Sequence, residues 1–200
     1  MRIHFILIAL LPFAACHTKK EPAVPPTGKP VVQADSIDTA GNYFPVTAFI
    51  KGDIASIKTN GITPKITVVS GTKTDSSFLK EIDFPAAFAD FVSPVIDSAN
   101  LKSIFKESKF LDRTLNAFTF SYDPANDNAD TFAFRHWDVY LNADNNKVTR
   151  VYLVKKIAAD TQLQLTWQSG KWCKIVTLKT TGADTKIEKE ETISWSYYTE

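Results

Sequence analysis

Few residues of this sequence have the types and spacing that catalysis usually requires. Beyond His4 and His17 near the start, the one remaining histidine is His136. A three-histidine zinc site, an HExxH helix or a Ser-His-Asp triad needs histidines in arrangements that this chain does not offer. Because His136 lies between Arg135 and Trp137 in a strand-like segment, we interpret it as a structural, hydrogen-bonded imidazole rather than a lone general base.

Acidic residues give weak candidate sites. Asp123, Asp127 and Asp130 could supply oxygens to calcium, but the ligand order and glycine of an EF-hand are absent, so we interpret this segment as a polar turn. Carboxylates that could pair in a glycoside hydrolase are found at Asp138, Glu188, Glu190 and Glu191. Since nothing selects a pair among them, we predict no metal, no cofactor and no enzyme activity, with a carboxylate-based hydrolase as the alternative.

Glycine-rich phosphate motifs are absent. The chain has seven glycines, and none of them forms G-x-G-x-x-G, G-x-x-x-x-G-K-[ST] or G-x-S-x-G. Its 23 Lys and Arg residues nearly balance 22 Asp and Glu residues. A nucleic-acid surface needs a basic face, so we predict neither nucleotide nor nucleic-acid partners.

The N-terminus has the pattern of a secretory signal. Arg2 is followed by an apolar segment at residues 5–11 and by small residues before Cys16. The apolar part is too short to cross about 30 Å of hydrocarbon as a permanent helix. We therefore predict a signal peptide over residues 1–15.

Ala14-Ala15-Cys16 resembles the lipobox of bacterial lipoproteins, with Phe13 where that family usually has leucine. The resemblance implies that Cys16 is acylated, with fatty acids such as palmitate, and becomes the mature N-terminus as a membrane anchor. The alternative is an ordinary signal that happens to precede a cysteine.

The same resemblance bears on location. His17 stands where a retention signal of enteric lipoproteins would place aspartate, which favours the outer membrane, and we favour its periplasmic face. Residues 19–21, Lys-Lys-Glu, are faintly similar to the tag of surface-exposed Bacteroidetes lipoproteins, so surface exposure remains an alternative.

Residues 16–42 read as a proline-rich tether, and 43–200 as a single folded domain. Five of the ten prolines lie in the segment from His17 to Pro45 inclusive. Extended proline-rich chain spans about 3.1 Å per residue, so the tether could hold the domain up to roughly 75 Å from the membrane. With Cys16 lipidated, Cys173 has no partner in the chain, and we expect it to be buried.

The domain's pattern changes from helical to strand-like near residue 110. Apolar spacing predicts a helix from Val46 to about Asn60, a short hairpin over 64–80 and a phenylalanine-rich helix over 84–92. A third helix, capped by Asp97, is predicted to carry Leu101, Ile104 and Phe105. The expected strands are 110–122, 131–142, 148–157, 162–168, 171–180 and 187–198, and the two-residue link Ser169-Gly170 predicts a hairpin between the fourth and the fifth. The predicted fold is α+β, with two or three short helices packed on one face of a twisted antiparallel meander of five to six strands, plus the short N-terminal hairpin.

One face of that sheet is the predicted functional surface. Arg135 and Trp137 alternate along one strand, as do Arg150 and Tyr152 along the next. If these four residues share a face, they form an aromatic and basic patch of the kind enriched in protein contacts. We predict an envelope binding or accessory module for a protein or glycan partner, with a purely structural envelope protein as a further alternative.

Overall fold

A single antiparallel sheet of nine strands dominates the domain. The computed structural model describes residues 43–96, 98–126 and 131–195. The strands are β1 (Lys65–Ser70), β2 (Lys73–Phe78), β3 (Phe105–Asp112), β4 (Ala117–Pro124), β5 (Phe134–Asn142), β6 (Val148–Lys156), β7 (Thr161–Gln168), β8 (Trp172–Thr181) and β9 (Asp184–Ser194). Their order across the sheet is β2-β1-β9-β8-β7-β6-β5-β4-β3, so β3 to β9 form a meander and the β1–β2 hairpin joins it beside β9.

Alternating apolar and polar residues give the sheet two different faces. On β7, Leu163, Leu165 and Trp167 are buried, whereas Gln164 and Thr166 between them are half-buried on the opposite side. The central strands β5 to β8 repeat this pattern. We call the side of Leu165 and Trp167 the inner face and the opposite side the outer face.

Short helices cover part of the inner face. They are α1 (Val46–Thr59), α2 (Phe84–Ala87), α3 (Ala89–Val92) and α4 (Ser98–Leu101), with a 3-10 turn at Glu81–Asp83. α1 confirms the helix predicted from Val46, because its apolar stripe is buried, with Val46 and Ile50 fully inaccessible to solvent.

The helix layer is joined to the sheet at Trp167. Asp53 on α1 accepts a hydrogen bond from Trp167 Nε1 at 2.8 Å. Phe88 and Phe91 place their rings 5.5 Å and 5.3 Å from the Trp167 ring, edge-on. The predicted phenylalanine stripe is therefore core, although its helix is split into α2 and α3.

The predicted α+β fold with five to six strands is wrong, because the described chain is mostly one nine-stranded sheet. Residues 110–122, predicted as one strand, contain the turn between β3 and β4. There Asp112 Oδ1 accepts hydrogen bonds from the backbone N–H groups of Thr114 and Leu115, and Asn116 has a φ of 47°. The predicted third helix ends at Leu101, and Phe105 begins a strand instead.

The predicted hairpin near residue 70 is present but is not a separate element. Strand β1 pairs with β9 from Lys65↔Ser194 to Val69↔Glu190, which extends the sheet by two strands. Cys173 on β8 is buried as predicted, and burial raises the pKa of its thiol. None of the helices in the described ranges is both long and apolar enough to cross a membrane.

Candidate functional site

The outer face of the central strands carries aromatic and charged side chains in two rows. Strand pairing places Tyr140, Arg150, Gln168 and Trp172 in one row across β5 to β8. The adjacent row contains Asp138, Tyr152, Thr166 and Lys174. We call these eight residues the outer patch. All eight are half-buried, whereas the helix residues Asp53 and Asp90 bond to Trp167 and Lys155 on the opposite, inner face.

Asp138 is the centre of a hydrogen-bonded cluster at one end of the outer patch. Ser121 Oγ donates to Asp138 Oδ1, and Tyr140 OH donates to Oδ2 at 3.1 Å. His136 Nε2 lies 3.1 Å from the same Oδ2, and its Nδ1 lies 2.7 Å from Asp123 Oδ1. We call Ser121, Asp123, His136, Asp138 and Tyr140 the Asp138 cluster.

The cluster holds His136 in its charged form. The hydrogen bond to Asp138 raises the pKa of His136 most strongly, burial opposes it in part, and the bond to Asp123 raises it further, to about 9. Burial acts to raise the pKa of Asp138, but hydrogen bonds from His136 and Ser121 outweigh it and lower that pKa. At neutral pH the two groups therefore form an imidazolium–carboxylate pair.

This arrangement does not activate a nucleophile. Ser121 donates to Asp138 rather than to His136, and both nitrogens of His136 face carboxylates. A protonated imidazole has no free lone pair with which to accept the Ser121 proton. The geometry of a Ser-His-Asp triad is therefore absent from the cluster.

The carboxylates considered for glycoside hydrolysis are also poorly placed. Glu190 shares the outer face with Asp138 but lies on β9, four strands from β5 in the sheet order. Strands are spaced about 4.8 Å apart, so the two groups are about 19 Å apart, beyond the roughly 5–10 Å of a glycosidase pair. Glu191 pairs with Ile175 and so lies toward the inner face.

Arg150 stacks on Tyr140 within the outer patch. The Arg150 guanidinium carbon lies 4.0 Å from the centre of the Tyr140 ring, a cation–π contact. Arg150 has no carboxylate ion-pair partner among the described residues. Burial, followed by the charge of Asp138, raises the pKa of both Tyr140 and Tyr152, so both phenols remain neutral hydrogen-bond donors.

The structure separates the four residues predicted to share a face. Arg150 and Tyr152 lie on the outer face, as neighbours in the two rows of the outer patch. Trp137 is fully buried on the inner face, where its ring stacks on Tyr122 at 4.9 Å. Arg135 is the extra residue of a β-bulge between Phe134 and His136, which lie opposite Lys155 and Val154 on β6.

The error in this prediction is one of register. Arg150 and Tyr152 pair with Tyr140 and Asp138, not with the odd-numbered residues of β5. A shift of one residue moves every side chain to the other face. The signal that was overlooked is the alternation of polar His136, Asp138 and Tyr140 with apolar Trp137, Val139 and Leu141.

Some of the remaining predicted site residues lie within the described ranges of the chain, and the others lie outside them. Asp123 lies at the end of β4 and is bonded to His136. Asp127, Asp130 and Cys16 lie outside the described residues, as do the predicted signal peptide and tether. Within the described ranges, no group of three His, Cys, Asp or Glu side chains is arranged to hold a metal ion.

Comparisons with known proteins do not place the chain in a family. No known family, no curated protein and no solved structure matches the chain.

Proposed function

We propose that this protein is a lipid-anchored envelope protein that binds a partner protein through the outer patch. The anchor is lipid on Cys16, the segment 16–42 is the tether, and the location is the periplasmic face of the outer membrane. The observation that carries the binding role is the stack of Arg150 on Tyr140 beside Tyr152 and Trp172, on the sheet face opposite the bond between Asp53 of α1 and Trp167.

The composition of the outer patch supports a protein partner. Tyr, Trp and Arg are the residues most enriched at the energetic centres of protein interfaces. Here they are half-buried and supported from below by strands, so little side-chain entropy remains to be lost on binding. Thr166 and Gln168 between them add hydrogen-bonding groups at the same level of the sheet.

The Asp138 cluster supports the patch rather than a reaction. Its hydrogen bonds hold Tyr140, which in turn carries the Arg150 guanidinium. A side chain whose position is held by a second layer of hydrogen bonds is preorganised for recognition. A carboxylate-based hydrolase is less well supported, since His136 occupies the space between Asp123 and Asp138.

The binding role is tested by changing Arg150 and Tyr152 to alanine together in the full chain. We expect capture of partner proteins from solubilised envelopes, read by mass spectrometry, to fall at least tenfold, because hot-spot residues each contribute about 2 kcal/mol or more. The matched control changes Lys186 and Ile187 to alanine. These residues are exposed on β9, far from the outer patch, so the control variant should capture the same proteins as the original chain. Normal capture by the Arg150/Tyr152 variant would refute the proposal, and loss of glycan rather than protein capture would assign the patch to a glycan.

The anchor is tested separately. Growth with labelled palmitate should label the full chain, and Cys16→Ser should abolish labelling and release the protein from the membrane fraction. Unchanged fractionation of the Cys16→Ser variant would refute the anchor without affecting the binding role.

A further inference from the structure

Among the described residues, strand β3 is one edge of the sheet, and the C=O of Phe105 at its start already accepts a hydrogen bond from Tyr43 OH. The sheet order ends at β2 on one side and β3 on the other, so each has a strand partner on a single side among the described residues. On β3, Lys106, Ser108 and Phe110 are exposed and lie on the outer face, whereas Glu107 and Lys109 point toward the inner face. An open edge presents unpaired backbone N–H and C=O groups to another strand.

We propose that β3 pairs in antiparallel fashion with β3 of a second copy of this chain, centred on Ser108. In one continuous sheet, directly opposed residues must lie on the same face. In a pair of identical strands related by a two-fold axis, this holds only when the axis passes through one residue, which then faces the same residue of the other copy. This requirement limits the central choices to Glu107, Ser108 and Lys109.

The order of charges selects Ser108 among these centres. A centre at Glu107 or Lys109 would oppose like charges directly, which is destabilising. With Ser108 at the centre, Glu107 of each copy faces Lys109 of the other, and Lys106 faces Phe110. Centres closer to either end of β3 pair fewer residues.

The charged groups are already at the site of the proposed contact. Within one chain, Lys109 Nζ lies 3.1 Å from Glu107 Oε1, and the two side chains are only 31% and 17% exposed. Pairing would join two such ion pairs into a network of four charges. On strand β2, the other edge among the described residues, Lys73 opposes Asp75 only about Thr74, a centre at which three residues of the strand pair, and a centre at Ser76 offers no opposite-charge pair.

The consequence would be two binding faces on one assembly. A two-fold axis perpendicular to the sheet keeps both outer faces on the same side. Two outer patches would then face a partner together, and linked sites bind more tightly than single ones when geometry permits both to engage. Anchoring in one membrane would further raise the local concentration of the copies.

A cysteine at the centre tests the register. Opposed residues in an antiparallel pair have Cα atoms about 4.5–5.5 Å apart, which suits a disulfide. In the full chain in membranes of producing cells, Ser108→Cys should form a disulfide-linked dimer on mild oxidation, whereas Ser76→Cys on β2 should remain mostly monomeric. An equal yield from the two variants, or no dimer from Ser108→Cys, would overturn the proposal.

Charge reversal tests the pairing independently of folding. In the Ser108→Cys background, Glu107→Lys or Lys109→Glu alone should reduce the dimer yield several-fold, because each copy then opposes like charges. Coproducing the two variants with different tags should restore a mixed dimer, since all four charges are then opposite. A folding defect cannot be restored by mixing, so failure of the mixed dimer to exceed both self-dimers would refute the register.

Discussion

The Asp138 cluster predicts a specific loss of stability at alkaline pH. His136 has a pKa of about 9 in the folded chain, against 6.5 for an unperturbed histidine. Because the folded pKa is raised, the stabilisation is fully present below about pH 6.5 and is lost as the pH rises to about 9. Changing His136 to glutamine removes the titrating group and should remove this part of the pH dependence.

The magnitude follows from the size of the shift and from solvent exposure. A shift from 6.5 to about 9 corresponds to at most about 3 kcal/mol. The His136 side chain is 28% exposed and Asp123 is 60% exposed, so solvent screening reduces the expected contribution to about 1–2 kcal/mol. For a domain of this size, that corresponds to a Tm difference of about 2–8 °C.

Thermal unfolding followed by circular dichroism at pH 6 and pH 9.5 provides the measurement. Between pH 6 and pH 9.5, the Tm of the original chain should fall by about 2–8 °C more than the Tm of the His136→Gln variant. The variant also serves as the control for other groups that titrate in this range. Equal losses in the two proteins would show that His136 is not held as an imidazolium by its carboxylate partners.

Three further predictions concern the core and the helix layer. Asp53→Ala should lower the free energy of unfolding by about 1–3 kcal/mol in urea, because the buried Trp167 indole N–H loses its acceptor; an unchanged midpoint would contradict this. Lys155 is only 9% exposed and donates a hydrogen bond to Asp90 Oδ1 on α3 at 2.8 Å. Lys155→Ala should therefore lower the Tm by several degrees, and an unaltered Tm would show that this contact does not hold α3 on the sheet. Cys173 should react with a thiol reagent only after denaturation, because it is fully buried and its thiol pKa is raised; rapid labelling of folded protein would contradict this.

Local patterns predicted several elements well. The spacing of Val46, Ile50 and Ile57 indicates a helix, and the same residues are its buried stripe. The Ser169-Gly170 link predicts the β7–β8 hairpin, and Gly170 has the positive φ of 68° that the turn requires. In both cases the determining interactions lie within one element or one turn.

Other elements were predicted wrongly because their local sequence fits more than one structure. Ile104 and Phe105 continue the spacing of Leu101, so a helix was predicted where β3 begins. The side chain of Asp112 forms the turn that divides β3 from β4, and this signal was outweighed by the apolar alternation around it. The fold class was therefore wrong in strand number and helix share.

The candidate site was predicted only in part because it depends on pairing between strands. The positions of Arg150 and Tyr152 on one face follow from alternation within β6. Their neighbours depend on the register between β5 and β6, which a β-bulge at Arg135 alters. Single-strand periodicity cannot supply that register. The face of Trp137, in contrast, follows from the alternation of polar and apolar residues within β5, which the prediction did not use.

Photo-crosslinking in cells tests whether the outer patch contacts a partner. A photoreactive phenylalanine derivative would replace Tyr152 in the full chain, or Ile187, which is 58% exposed at the β8–β9 end, as the control. After illumination of intact cells, we expect a discrete higher-mass product from position 152 that is absent from position 187. No product at 152, or the same products at both positions, would contradict it.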